Sequence, residues 1–340
     1  MSRESTPADV SSQMRAAIEH DLQLSSALVD PELGTGMRQM IGYHFGWGES
    51  VQPSRGKRLR PLLHLLSCAA AGGEWRIALP TASCIELIHN FTLIHDDIED
   101  NSRLRRGRKT VWDVYGVPQA INTGDAMLIL AQLSLQRLGT AGVDSATILA
   151  IHGIIDRACL DLTLGQHLDL AFESLPAIDR PTYLRMIEGK TAALLAAATH
   201  SGAMIAHAQT AACESFRLFG RHLGMAFQIQ DDILGIWGAP EITGKPAGDD
   251  LISRKKSLPT VFGLLHSDEF EQLWKQADSG PPQLEAMKDA LHACGARMHA
   301  EQLAQEHTTA AISALELACQ ESLARDELEQ LARQLVGRQK

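Results

Sequence analysis

Two groups of aspartates stand where carboxylates are costly without a cation. Asp96, Asp97 and Asp100 close an apolar stretch that begins at Cys84, and Asp231 and Asp232 follow a second apolar run, Leu223 to Ile229. On a helix Asp96 and Asp100, four apart, share one face, while Asp97 is turned about 100° away. Acids this close beside apolar residues repel one another unless something positive neutralises them. Hard divalent ions, magnesium among them, take oxygen ligands of this kind and share them with substrate phosphates. A solvated acidic helix end is the plainer account of either group alone. The recurrence of the pattern in one chain favours metal and diphosphate.

Cationic residues lie beside both groups: Lys57, Arg58 and Arg60; Arg103, Arg105, Arg106 and Arg108; Lys190 next to Thr191; Lys245; and Arg254, Lys255 and Lys256. Charge runs are usually solvated surface, so their position next to carboxylate pairs is what marks them. Arginine presents a planar fork that matches phosphate oxygens and lysine a compact point charge, a mixture suited to two diphosphates with different roles.

The elements that must carry these side chains are helical. Segments 11–29, 59–72, 76–100, 119–138, 144–172, 181–207, 211–237, 257–266, 281–307 and 309–336 repeat apolar residues at helical spacing. Aromatics are only 5% of the chain, and alternating β-branched runs do not recur. The fold class expected is all-α, a single large helical bundle around a central deep pocket. One domain over 1–340 is expected, with a motif-bearing core at about 56–260 and covering helices at 281–336. Breaks are placed at Gly72, Gly116, Leu175, the Gly238 to Asp250 loop and Gly280. Segments 84–95 and 191–205 are apolar around most of their circumference, as helices inside a bundle are, and could wall a pocket. The last helix, carrying Glu321, Arg325, Asp326, Glu327 and Glu329, reads as a solvated cover.

Bulk properties remove other classes. With 45% hydrophobic and 21% charged residues in 340, the chain can bury a large core. A net charge of -10 argues against a general nucleic-acid binder. Its six cysteines include no C-x-x-C pair and lie mostly in apolar runs, so reduced core thiols are expected. The polar start has no apolar core of a signal, and the apolar stretch Thr191 to Ile205 is too short to span a bilayer. A cytoplasmic protein without a membrane span is expected.

From Gly56 to Pro259 the chain resembles the trans-isoprenyl diphosphate synthases, or polyprenyl synthetases. The resemblance is carried by Gly56 to Pro61, Leu87 to Asp100, Arg105 to Gly107, Gly165-Gln166, Glu188 to Thr191, Phe227 to Asp232 and Gly244 to Pro246, in that order. It implies the isoprenoid synthase fold and a magnesium-dependent prenyltransferase. Isopentenyl diphosphate would be bound by Lys57, Arg60, His89 and Arg106. The allylic prenyl diphosphate would be held by Arg105, Lys190, Thr191, Gln228 and Lys245. Asp96, Asp100 and Asp231 would ligate magnesium, three ions with bound diphosphate, and Asp97, Asp232, Lys190 and Lys245 would complete the catalytic set. The family is usually homodimeric.

Product length in such enzymes depends on what blocks the apolar pocket beneath the first motif. Here those positions are Phe91 and Thr92, a bulky ring beside a smaller residue, and the motif lacks a two-residue insertion seen in several short-chain relatives. By resemblance the combination implies geranylgeranyl diphosphate, with farnesyl diphosphate as the alternative. A class I terpene cyclase on the same fold would have no use for the isopentenyl residues, and a non-catalytic regulatory subunit would not need two usable acidic motifs. One departure stands out: the second motif often ends in a third aspartate, and this chain has Gly235 there, with Asp249 and Asp250 further on.

Overall fold

The computed structural model describes residues 7–47, 56–239, 248–277 and 282–337. Among them the only strands are β1 (Leu104–Arg105) and β2 (Arg108–Lys109), an antiparallel ribbon. Everything else regular is helical. By contact the chain separates into two compact units, Met1–Asp156 with Ala198–Cys213 and Cys319–Leu328, and Arg157–Ala197 with Glu214–Ala318 and Glu329–Lys340.

The first unit holds α1 (Pro7–Ser26), α2 (Thr35–Phe45), α3 (Leu59–Ala70), α4 (Leu79–Glu99), the ribbon, α5 (Val111–Tyr115) and α6 (Val117–Gln136), and it includes the start of α7 (Ser145–Glu173). α4 packs against α6, α3 and α1. Its burial on nearly all sides explains an apolar pattern with little amphipathic bias: Cys84, Ile85, Leu87, Ile88 and Ile94 are almost fully covered. Trp75–Glu99 has the length and apolarity of a membrane span, but 67% of its most apolar window is buried in the fold, as in a core helix. Two buried polar centres are paired. Asp21 accepts from Ser83 (2.7 Å) and from Arg137, and Arg58 bridges Glu19 (2.5 Å) and Glu86 (3.0 Å).

The second unit holds α8 (Arg180–Ile187), a π-helical turn (Glu188–Ala192), and most of α10 (Thr210–Trp237). It continues with α11 (Asp249–Ile252), α12 (Leu258–His266), α13 (Asp268–Gln276), α14 (Leu284–Ala293), α15 (Ala296–Ala318) and the later part of α16 (Leu323–Val336). α9 (Ala193–Ile205) follows the π turn. One core cluster joins Tyr183, Met186, Met225, Ile229, Ile233 and Leu258. Another joins Ile236, Leu251, Phe270, Trp274 and Leu291.

The helix boundaries depart from the sequence reading in several places. α2, α5, α11 and α13 lie outside the expected segments; all are short, but at α13 Ser267 accepts from the Phe270 N–H (3.1 Å) and Asp268, Glu269 and Glu271 fill the first turn, a capping signal readable in the sequence. The boundary between segments at residue 308 is absent: α15 continues to Ala318, and the Thr308 hydroxyl is satisfied within the helix by donating to the Ala304 carbonyl (2.7 Å). The chain turns instead at Gly295, whose φ of 82° suits a residue without a Cβ. Segment 181–207 is three pieces, with the π turn where Lys190 and Thr191 stand. No disulfide joins the six cysteines, all of them described residues, and Cys68, Cys84 and Cys213 are buried.

Candidate active site

In the first unit the C-terminal end of α4 carries the first acidic motif, with Asp100 as its C-cap. Asp96 is half-buried, Asp100 exposed and Asp97 buried. A helix C-terminus already concentrates negative carbonyl charge, so carboxylates added there favour a cation. Asp97 points elsewhere, as the 100° offset requires. Its Oδ1 accepts from Arg105 Nε at 2.8 Å, while its buried Oδ2 has no partner. Burial, opposed by Arg105, pushes its pKa up to about 6. Asp97 therefore anchors the β-ribbon to α4.

The ribbon turns at Arg106 and Gly107, both at positive φ (53° and 76°), the two-residue turn that matches strand twist. Arg106 lies over Gly56, ahead of α3. Arg60, in the first turn of α3, donates from Nη1 to His89 Nε2 on α4 at 3.1 Å. Accepting from a guanidinium fixes His89 Nε2 as the unprotonated nitrogen, so Nδ1 carries the hydrogen. Burial first, then Arg60, Arg106 and Arg105, hold its pKa well below the usual histidine range. Thus Arg60, His89, Arg105 and Arg106, far apart in sequence, gather in one cationic patch. Lys57 is exposed, and its backbone carbonyl accepts from Arg15.

Arg58 was seen in the sequence only as one more cation. Its side chain is 3% exposed, clamped by Glu19 and Glu86 with the Phe45 ring 4.9 Å away, and its φ is 47°. A non-glycine residue in the left-handed region costs about 1–2 kcal/mol, and such strain gathers at functional loops. As N-cap of α3, Arg58 fixes the helix entry, with Lys57 just before it and Arg60 in the first turn.

The second unit carries a connected polar chain. The π turn places Lys190 Nζ 2.5 Å from Asp169 on α7, and Thr191 donates to Gln228 Oε1 at 2.7 Å. π turns are rare and recur at functional sites. Close approach of α7 makes room necessary: a Cβ on Gly165 would stand 2.8 Å from the Lys190 Cα. Gln228 donates in turn to Asp232 Oδ1 at 3.2 Å, and Asp232 Oδ2 accepts from the Leu258 N–H at 2.8 Å and from the Tyr183 hydroxyl. Asp232, 1% exposed, is an anchor inside the unit, whereas Asp231 is half-exposed.

Lys255 joins this network, its Nζ 4.0 Å from Asp232 Oδ1. Partial burial opposes its charge, but Asp232, Asp250, Asp169 and Asp231 together raise its pKa. The sequence could not single it out from Arg254 and Lys256. The structure does: Arg254 stacks 4.0 Å over Trp274 and donates to that residue's carbonyl, and Lys256 is buried 5.3 Å from the same ring. Lys245 and its neighbours Gly244 and Pro246 lie outside the described residues. Of the product-length residues, Phe91 is buried with its ring edge-on to His95 at 5.7 Å, and Thr92 donates to the His89 carbonyl at 2.8 Å.

Among the described residues no three His, Cys, Asp or Glu side chains form a complete metal cage. That fits magnesium, which keeps waters and completes its octahedron with substrate phosphate oxygens. The half-exposed Asp96 and Asp231 and the exposed Asp100 are hard oxygen donors of the kind it takes.

A helical fold with acidic helix ends beside clustered arginines and lysines defines a class of diphosphate-handling isoprenoid synthases, and comparison with known proteins agrees. The polyprenyl synthetase family profile matches residues 48–294. The chain is 39% identical over 315 residues to a (2E,6E)-farnesyl diphosphate synthase of Mycobacterium tuberculosis, covering 89% of this chain and 86% of that one. It is 43% identical over 229 residues to a geranylgeranyl diphosphate synthase of the same organism, covering 66% and 64%. Among solved structures it is similar to a polyprenyl synthetase of Streptomyces coelicolor, with TM-score 0.86, 33% identity and coverage of 96% and 98%. A geranylgeranyl pyrophosphate synthetase of Pyrococcus horikoshii gives TM-score 0.86 at 29% identity, covering 97% of each chain. The chain belongs to the polyprenyl synthetase family, with the all-α isoprenoid synthase fold.

Proposed function

We propose that this protein condenses isopentenyl diphosphate with an allylic prenyl diphosphate, head to tail and all-trans, and releases diphosphate. The reading places geranylgeranyl diphosphate first among products, with farnesyl diphosphate as the alternative. The observation that carries it is the grouping of Arg60, His89 and Arg106: a chain that only ionised an allylic diphosphate would need no second cationic site.

In this reading Lys57, Arg60, His89 and Arg106 hold isopentenyl diphosphate. His89, kept neutral by burial and its arginines, offers Nδ1–H to an acceptor without adding another repelling charge. Arg105, Lys190, Thr191, Gln228 and Lys245 hold the allylic diphosphate, and Lys255 extends that set. Magnesium, held by Asp96, Asp100 and Asp231, supplies charge neutralisation on the departing diphosphate when bound. Asp97 and Asp232 act through the cations they anchor, keeping Arg105 and Lys255 aimed without reorganisation. Holding both substrates in line adds the advantage of proximity. Phe91 and Thr92 bound the apolar pocket.

The reading includes a single functional domain, a homodimer and a cytoplasmic location. The dimer is supported by an exposed apolar stripe on α6, Val117, Ile121, Ile129 and Leu133, and by exposed Leu149 on α7. Burial of the apolar α4 supports a core helix in place of a membrane span.

Incubation of the purified protein with magnesium and dimethylallyl, geranyl or farnesyl diphosphate, with and without isopentenyl diphosphate, tests the assignment. Longer prenyl diphosphates are expected only when isopentenyl diphosphate is present. Hydrocarbon formed in its absence would establish a cyclase instead, and an inert chain that stimulates an active partner would establish a regulatory subunit.

A further inference from the structure

The second acidic motif lacks an acid at Gly235, and the fold shows what stands in its place. Asp231 and Gly235 are four apart on α10, hence on one face, with Cβ positions about 5–6 Å apart. This is the relation that Asp96 and Asp100 have on α4. A Cβ on Gly235 would stand 2.5 Å from the Asp250 Cγ and 2.7 Å from its Oδ1, closer than real Cβ contacts come. The carboxylate of Asp250, delivered by the short helix α11, fills the space a side chain at 235 would enter.

We infer that Asp250 supplies the carboxylate that position 235 lacks, and so serves as the third acid of the second metal-binding motif. The inference rests on the metal-diphosphate reading of that motif. Several observations make the exchange physically sound. Asp250 is 7% exposed, so its carboxylate is held and not free to sweep through solvent. Its backbone carbonyl accepts from the Lys255 N–H at 2.9 Å, which ties the position of the acid to the lysine that follows. Asp250 acts on Lys255 together with Asp231, Asp232 and Asp169, so it belongs to the same electrostatic centre as the motif. With glycine at 235 the acid comes from α11 and not from α10, and a side chain at 235 would have to displace the Asp250 carboxylate.

This makes a reciprocal prediction. Asp250→Ala removes the acid and empties the space, Gly235→Asp forces two carboxylates into one space, and Gly235→Asp with Asp250→Ala returns one acid to the face. The probe is Mn2+ with inorganic diphosphate, its binding followed by electron paramagnetic resonance, with circular dichroism confirming the fold of each variant. Asp250→Ala is expected to weaken binding of one Mn2+ by about 10- to 100-fold, the usual effect of losing such a partner. The double variant should regain most of that loss, and Gly235→Asp alone should bind worse than the double variant. Asp250→Asn keeps the shape and removes the charge, so it should behave as Asp250→Ala does.

Wild-type Mn2+ affinity in folded Asp250→Asn would overturn the inference. So would a folded double variant no better than Asp250→Ala. If the wild-type chain with diphosphate binds no Mn2+ that Asp231→Ala weakens, the metal reading itself fails, and this inference with it. An effect of Asp250→Ala on stability alone, with Mn2+ binding intact, would assign Asp250 a purely structural role and reject the proposal.

Discussion

Individual aspartates in the two motifs carry unequal burdens. Asp96 and Asp231 face outward from their helices, whereas Asp97 and Asp232 are buried at about 1% exposure and committed to Arg105 and to the Tyr183–Leu258–Lys255 group. Asp96→Ala and Asp231→Ala should each lower kcat by at least about 10²-fold while leaving the fold intact, since each removes a ligand to charge that develops in the transition state. Steady-state rates alongside circular dichroism check this, and near-normal turnover would remove the residue from the metal set. Phe91→Ala should shift products to longer chains, read by chromatography of the dephosphorylated alcohols. An unchanged profile would place the floor of the pocket elsewhere.

Among the elements, the loop entering α3 does more than connect. Arg58 bridges Glu19 on α1 to Glu86 on α4, and Glu86 also accepts from Asn90 at 3.0 Å. Removing one member of a buried ion network leaves the others unpaired, at a cost of about 3–5 kcal/mol. Arg58→Ala should therefore lower stability by that order in urea titration. It should also raise KM for isopentenyl diphosphate more than for the allylic substrate, because Lys57 and Arg60 flank Arg58 at the start of α3. Equal effects on both KM values would show a general loss of structure. Little of this was legible in the sequence: Arg58 stood in a run of cations, and only the folded positions of Glu19 and Glu86, 39 and 28 residues away, separate a structural arginine from the candidate binding residues beside it.

For the whole molecule, pH and association give the measurable consequences. His44 Nε2 lies 3.0 Å from Asn90 Oδ1, and burial, reinforced by Arg105, Arg106 and Arg58, takes its pKa down to about 3. An unfolded histidine titrates near 6.5. As pH falls below that value the unfolded chain takes up a proton that the native chain refuses, so stability drops on acidification and is retained at neutral pH. Between pH 7 and 5.5 this group accounts for up to about 1.3 kcal/mol, and urea denaturation of wild type and His44→Asn at both pH values should show a shallower dependence in the variant. Ile129→Glu, on a residue 59% exposed, should convert the proposed dimer to monomer in light scattering. A wild-type monomer would reject the interface.

The sequence by itself determined the all-α class and the motif order, and it nominated the candidate binding residues. These follow from local quantities: apolar periodicity, the four-residue spacing of acids, and cations adjacent to them along the chain. The short helices α2 and α13, the unbroken α15 and the π turn at Lys190 depended on packing and backbone contacts that local pattern does not contain. Tertiary structure alone separated Lys255 from Arg254 and Lys256, separated the anchoring acids Asp97 and Asp232 from their outward-facing neighbours, and brought Asp250 against Gly235. Each of those distinctions is a matter of which distant group lies within a few ångströms, and only a folded chain sets that distance.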